Sequence, residues 1–285
     1  MEQEQLTTFE QDLRQIADML LLNGTLTYCS GLIHGKMGIV VFFFHYAKYT
    51  DNMLFADYAM EVIGEIQSKL HINSPADYEK GLAGIGVGID FLIQNNFLVA
   101  GDDICEDFDD RMYRAVMYEP WQNFSLYDGL TGYGRYWISR LRYQKTSIQA
   151  RECLCRIIQL IKRNSLCISI NEQTDVYCFL YDLQQIPAFE SCGGLLKQFQ
   201  GRDFLIQSFS RLGDTAATCI TRMYLQNRYF DCYLQNELDN ALKNIRDLDR
   251  SIPPIGMGLL NGYAGEGMLR LTALNQISKS WINLL

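Results

Sequence analysis

Four polar residues stand at the same place in four copies of one short phrase. His34 precedes Gly35-Lys-Met-Gly38, Lys80 precedes Gly81-Leu-Ala-Gly84, Asp128 precedes Gly129-Leu-Thr-Gly132, and Asn261 precedes Gly262-Tyr-Ala-Gly265. An imidazole, an ammonium, a carboxylate and a carboxamide are the groups that acid–base chemistry or the binding of a polar ligand uses. On this reading His34 and Asp128 are the acid–base pair, and Lys80 and Asn261 bind and orient the substrate. Each taken singly is equally well explained as a residue that caps a helix or bonds nearby backbone. Their common position is what joins them into one candidate site.

The elements that must position them follow from the spacing. The first three phrases begin at 35, 81 and 129, and the last begins at 262, close to three further periods on. A period in the forties marks stacked supersecondary units, each too small to bury its own apolar face. Two worn copies are expected in the gap. Counting back 48 residues from Gly262 puts Asp214 and Ala217 at the two glycine positions, with Gly213 before them; counting forward from Gly129 reaches Val176-Tyr-Cys-Phe-Leu180. Between the phrases run apolar residues at helical spacing: Phe9, Leu13, Ile16, Ala17 and Leu20; Phe55 to Ile66; Ile148 to Ile161; and a fourth set from Leu234 to Leu248. These predict amphipathic helices. The stretches after the phrases, Ile39 to Phe44, Ile85 to Ile93 and Tyr133 to Leu141, are apolar on nearly every side and predict buried helices.

The expected fold is therefore all-α: an (α/α) toroid, a double ring of outer amphipathic and inner apolar helices built from about six helix-pair repeats, as one domain over residues 1–285. An open superhelical stack is the competing shape, disfavoured because the inner helices would leave an apolar flank in water. The best strand signal is the alternating stretch Leu166 to Asn171, a hairpin edge or a loop. The paired glycines permit close backbone approach or a positive φ. Gathered at one end of a ring, the helix N-termini would form a rim for anions or carbonyls.

The formal net charge is −8 and the isoelectric point about 5.0, which argues against a nucleic-acid partner, because phosphate binding needs clustered Lys and Arg. The start Met1-Glu-Gln-Glu-Gln lacks the order of a secretory signal, and the longest apolar run, Gly38 to Phe44, is far too short to span a bilayer. Nine cysteines without a Cys-x-x-Cys read as reduced, mostly buried thiols. The expected location is the cytoplasm.

The phrases Gly31-Leu-Ile-His-Gly35-Lys-Met-Gly38, Tyr78-Glu-Lys-Gly81-Leu-Ala-Gly84-Ile-Gly86, Leu126-Tyr-Asp-Gly129-Leu-Thr-Gly132 and Gly258-Leu-Leu-Asn-Gly262-Tyr-Ala-Gly265-Glu-Gly267 resemble the lanthionine synthetase C-like (LanC-like) family. The resemblance covers the first three units and the last. It implies an (α/α) toroid with the Gly-rich turns around a central pocket, and modification of a ribosomally made peptide. Family enzymes hold Zn²⁺ on two cysteines and a histidine, and add a peptide thiolate to a dehydrated Ser or Thr to close a thioether ring. The family's Cys-His-Gly-x-Ala-Gly phrase corresponds here to Leu212-Gly-Asp-Thr-Ala-Ala217, and its Trp-Cys-x-Gly phrase is echoed only by Tyr177-Cys178-Phe179. With those ligands lost, no metal and no cofactor is expected. A replacement site would have to draw on Cys29 and His34, with Asp128 or Cys178. His34 lies in a His-Gly-x-x-Gly phrase of the kind that carries an acid–base histidine elsewhere in the family, in a different unit. His45 reads as a core histidine, and His71 belongs to a polar loop.

Three functions are compatible with these residues. The first is a LanC-like protein of peptide modification with a peptide or peptide-like substrate, whether or not it still catalyses. The second is a non-catalytic scaffold that holds such a peptide or docks a peptide-modifying enzyme. The third is a carbohydrate-active toroid enzyme, for which Asp128 with Glu266 or Asp214 would supply the two carboxylates.

Overall fold

A computed structural model describes residues 3–71, 73–99, 106–120, 123–143, 147–199, 215–226, 228 and 256–285. Among them the chain is helical and no strand forms; the one extended pairing is an isolated bridge between Gly256 and Gly262. No described helix is long and apolar enough to cross a membrane. The chain divides into two compact units, Met1–Leu70 with Leu212–Leu285, and His71–Arg211.

The first unit contains α1 (Gln3–Gly24), α2 (Lys36–Thr50), α3 (Leu54–Lys69), α9 (Ala216–Gln226), α10 (Tyr263–Ala273) and a 3₁₀ turn, Lys279–Leu284. Along α2 every residue from Lys36 to Ala47 is buried, as expected of a helix apolar all round. Only one flank of α3 is buried, through Ala56, Ala59, Val62, Ile63 and Ile66. Phe43 of α2 meets Tyr58 of α3 edge-on at 5.0 Å between ring centres. Such a pair contributes roughly 1 kcal/mol beyond its area. Helix α10 packs on both α1 and α2, and the buried Arg270 of α10 pairs with Glu266 at 2.7 Å and with Asp12 of α1 at 3.6 Å.

The second unit holds α4 (Leu82–Gln94), α5 (Glu106–Met117), α6 (Leu130–Tyr143), α7 (Ile148–Asn164), α8 (Ile170–Gln184) and a run of short helical turns over 187–199. Helix α6 lies between α4 and α8, while α7 packs on α5 and α6. The amphipathic α7 begins where the Ser147 hydroxyl accepts the Ala150 N–H, and buries Ala150, Cys153, Leu154, Ile157, Ile158 and Ile161.

Several expectations change. Of the hairpin edge and the loop open for the stretch at 166, the loop holds, leading into α8: Ser169 caps that helix, and its side chain and that of Glu172 exchange hydrogen bonds with each other's backbone N–H, a capping box. The cap of the fourth inner helix thus lies only 40 residues after Gly129, and Val176 falls inside the helix. At the start of the fifth inner helix the Thr215 hydroxyl accepts the Thr218 N–H at 3.3 Å. None of the described glycines has a positive φ; Asn261 takes that conformation instead, at 54°. The expected helix at 234–248 and the residues Leu212, Gly213 and Asp214 lie outside the described residues.

Candidate functional site

The four phrases fold the same way. The N–H of the residue after the first glycine donates to the carbonyl seven residues earlier: Lys36 to Cys29 at 2.9 Å, Leu82 to Pro75 at 2.8 Å, Leu130 to Asn123 at 3.1 Å and Tyr263 to Gly256 at 3.0 Å. The turn folds back so tightly that a Cβ on the second glycine would strike the carbonyl oxygen six residues earlier, Leu32 for Gly38 (2.6 Å), and likewise Leu126 for Gly132 and Leu259 for Gly265. Close approach, then, is what requires glycine here. The next N–H groups are also taken, Met37 by Ser30 and Gly31, Ala264 by Met257 and Gly265 by Gly258. The expected anion-binding rim is corrected accordingly: the helix-start donors that would form it serve their own turns.

Turns from different repeats are joined by the same hydrogen bond. The residue two before the first glycine donates to its counterpart in the next repeat: Glu79 N–H to the Tyr127 carbonyl at 3.0 Å, and Leu260 N–H to the Ile33 carbonyl at 3.0 Å. One helical turn deeper the match repeats. Gly86 of α4 receives the ring of Tyr136 on α6, and Gly267 of α10 receives the ring of Phe42 on α2; both glycines lie five residues after their phrase's first glycine, and both aromatics seven after theirs. The second and third repeats, and the last and first, therefore meet through one kind of joint.

These joints bring the candidate residues together in pairs. His34 and Asn261 lie on adjoining turns of the first unit, where His34 is half-buried and Asn261 exposed. The His34 Nδ1 donates to the Leu260 carbonyl at 3.0 Å; a carbonyl only accepts, so Nδ1 carries the proton and, in the neutral ring, Nε2 carries the lone pair. Lys80 and Asp128 lie on adjoining turns of the second unit, both exposed. The backbone N–H of Lys80 donates to Asp77 Oδ1 at 2.7 Å, and its ammonium faces Glu79 at 3.5 Å. Asp128 accepts the Ser125 hydroxyl while its own N–H donates to that hydroxyl at 3.3 Å.

Two carboxylates next to this turn have no counterpart in the sequence reading. Glu172 of α8 accepts the Phe124 N–H at 2.7 Å and Asp175 accepts the Leu126 N–H at 2.8 Å. Burial raises the Glu172 pKa, but its bonds from Ser169 and Phe124 outweigh that and hold it below the ordinary value. Burial lifts Asp175 to about 6, against the opposing effects of the Leu126 N–H and Arg135. A Ser-x-x-Glu signal at 169–172 was legible as a capping box; the reach of Glu172 to another repeat was not.

A second cluster is wholly interior. Arg140 of α6 is 1% exposed and forks onto Asp109 of α5 at 3.0 and 3.1 Å, reaching Asp90 of α4 at 3.4 Å. Tyr136 donates to Asp109 at 2.5 Å and Ser139 to Asp90 at 2.9 Å. Satisfied on all sides and closed to solvent, it ties three helices together rather than presenting groups to a ligand.

Cys178 is buried within α8 at 1% exposure. At the start of α9, Thr215 and Thr218 supply hydroxyls 3.0 Å apart that cap the helix. Among the described residues no group of three or more His, Cys, Asp or Glu is placed to hold a metal ion. Burial pushes the thiols of Cys153 and Cys192 up, away from thiolate, whereas Cys155 and Cys167 are exposed. Comparison of the chain with protein-family models, curated proteins and solved structures finds no match in any of the three.

Proposed function

We propose that this chain is a closed ring of six helix pairs of the LanC-like kind, whose glycine-turn end binds a peptide or peptide-like substrate in a peptide-modifying system of the cytoplasm. The observation that carries the ring is the repeated joint: the last repeat meets the first through the same backbone bond and glycine–aromatic contact that join the second to the third. An open stack has no reason to bring α10 onto α2.

In this reading His34 is the acid–base residue, its Nε2 lone pair set by the Leu260 carbonyl, and Asn261 beside it is a hydrogen-bonding positioner. Adding a thiol across a dehydrated residue forms a C–S bond to the β-carbon and returns the thiol proton to the α-carbon, which one imidazole can take and give back. Lys80 and Asp128 form the polar pair of the second unit. Their local bonds to Asp77, Glu79 and Ser125 favour a second reading for this half, a docking surface that holds the peptide without reacting. A carbohydrate-active reading is weaker, since Glu266 is committed to Arg270.

Incubation with a cysteine-containing dehydrated peptide tests the proposal. Binding is followed by anisotropy, ring closure by loss of alkylatable thiol, and metal content on the same sample. Binding with ring closure supports the enzyme, binding alone supports the scaffold, and absence of binding overturns both.

A further inference from the structure

The joint between the third turn and α8 keeps the glycine–aromatic contact, Gly134 against the Phe179 ring, but its bond to the turn is built differently from the other two. Where Glu79 meets Tyr127 and Leu260 meets Ile33, a backbone N–H meets a backbone carbonyl, and neither group titrates. The fourth repeat is shorter, its capping Ser169 lying 40 residues after Gly129, and here two side-chain carboxylates accept the N–H groups of Phe124 and Leu126. The two are not equally well served. Glu172 also takes the Ser169 N–H at 3.0 Å and the Ser169 hydroxyl at 2.5 Å, donors that favour its charged form. Asp175 is half-buried and feels the charges of Glu172 on its own helix, Asp128 and Tyr127 on the turn, and Arg135 on α6. Arg135 is also drawn to Asp182 at 3.9 Å and lies over the Tyr78 ring at 5.4 Å. A carboxylate so placed, beside two others and sharing its cation, bears a poorly compensated charge.

We propose that Asp175 is a proton-sensitive latch on the turn 123–128: protonated, it holds the turn closed through its carbonyl oxygen, and ionised, it favours release of the turn into water. The direction follows from linkage. A carboxyl that binds its proton more tightly in the closed state than in water stabilises the closed state at low pH, and that stabilisation is lost as pH rises through the closed-state value. The burial that lifts Asp175 to about 6 sets the window just below neutrality. Asp128 rides on this turn, and the Tyr127 carbonyl links it to Tyr78 and Glu79, next to Lys80. The latch therefore governs the presentation of the second unit's polar pair, whatever ligand that pair serves.

Residue-resolved amide exchange on the full chain, expressed as protection relative to the free peptide at each pH, reads the latch directly. Between pH 5 and pH 7.5 the Leu126 N–H should lose roughly tenfold or more of its protection, with a midpoint near 6, while the backbone joint at Leu260 stays level. Asp175→Asn, which keeps the acceptor oxygen and cannot ionise, should hold the high protection at every pH. A Leu126 protection that is flat or rises with pH in the natural chain overturns the latch, as does an equal fall in the variant or at Leu260. Should the variant not fold, carbon-detected titration of the Asp175 carboxyl decides: a midpoint near 6 supports the latch, and one at or below about 4 overturns it.

Discussion

The Nδ1 of His34 lies 3.0 Å from the carbonyl oxygen of Leu260, 226 residues further along the chain. Ile33, just before His34, accepts the Leu260 N–H in return at 3.0 Å. A Cβ on Gly258 would strike the His34 backbone at 2.5 Å. Three constraints thus hold the imidazole: Nδ1 faces the Leu260 carbonyl, and in the neutral ring Nε2 carries the lone pair.

If glycine at the repeat joints serves close approach, a methyl there should be costly. Gly267→Ala drives its Cβ into the Phe42 ring and to 3.2 Å from Ile16, and Gly86→Ala places its own at 2.5 Å from the Tyr136 ring. Each should lose about 1–3 kcal/mol in urea denaturation. Gly64→Ala on the exposed flank of α3, where a Cβ meets nothing within 4 Å, should instead gain about 0.5–1 kcal/mol. Equal effects at the three sites would refute the packing account.

The buried guanidinium of Arg140 gives a second stability test. Asp109→Ala strips it of its bidentate partner at a position 1% exposed and leaves it only the longer contact to Asp90 at 3.4 Å, so the loss should approach about 3–5 kcal/mol. Tyr136→Phe removes a single hydroxyl bond to Asp109 and should cost about 1 kcal/mol. Denaturant midpoints compare the two. A small loss for Asp109→Ala would mean that water reaches the guanidinium.

His45 predicts an acid limb. Burial, then the neighbouring charge of Lys48, lowers its pKa from 6.5 to about 4, so the unfolded chain takes up this proton first. Stability from this source is complete above about 6.5 and declines as pH falls toward 4. The raised carboxyl of Asp175 acts in the opposite sense, its contribution being lost as pH rises through about 6. Subtracting His45→Gln from the natural chain isolates the histidine: their difference in folding free energy should shrink from pH 7 to pH 4. A pH-independent difference would show that His45 titrates normally.

Much of the architecture was legible because glycine phrases mark helix starts. Gly35, Gly81 and Gly262 are the cap residues of α2, α4 and α10. Counting failed in the fourth repeat, where Ser169 and Glu172 solve the same helix start with side chains and the intervening segment is shorter. In the fifth the counted position, Asp214, lies outside the described residues. Asp90, Asp109 and Arg140 escaped notice because apolar periodicity assigns charged residues to the surface; only spatial neighbours reveal that these charges neutralise one another inside. The positions before the first glycines fall at equivalent places of their turns, and the turns of His34 and Asn261, and of Lys80 and Asp128, are joined by backbone bonds; the single site expected of all four is a matter of the proposal. Asp175 could not be read the same way, because its partner amide belongs to another repeat.

The central claim, that the turn bearing His34 and Asn261 binds a peptide, is tested most directly by the affinity of a dehydrated, cysteine-containing peptide for the natural chain, His34→Ala and Asn261→Gly. Glycine suits the positive φ at 261, so that variant removes the carboxamide without straining the backbone. The account predicts measurable binding that weakens about tenfold, or about 1.4 kcal/mol, in each variant, with thermal stability little changed. A peptide that fails to bind the natural chain, or binds all three proteins equally, would contradict it.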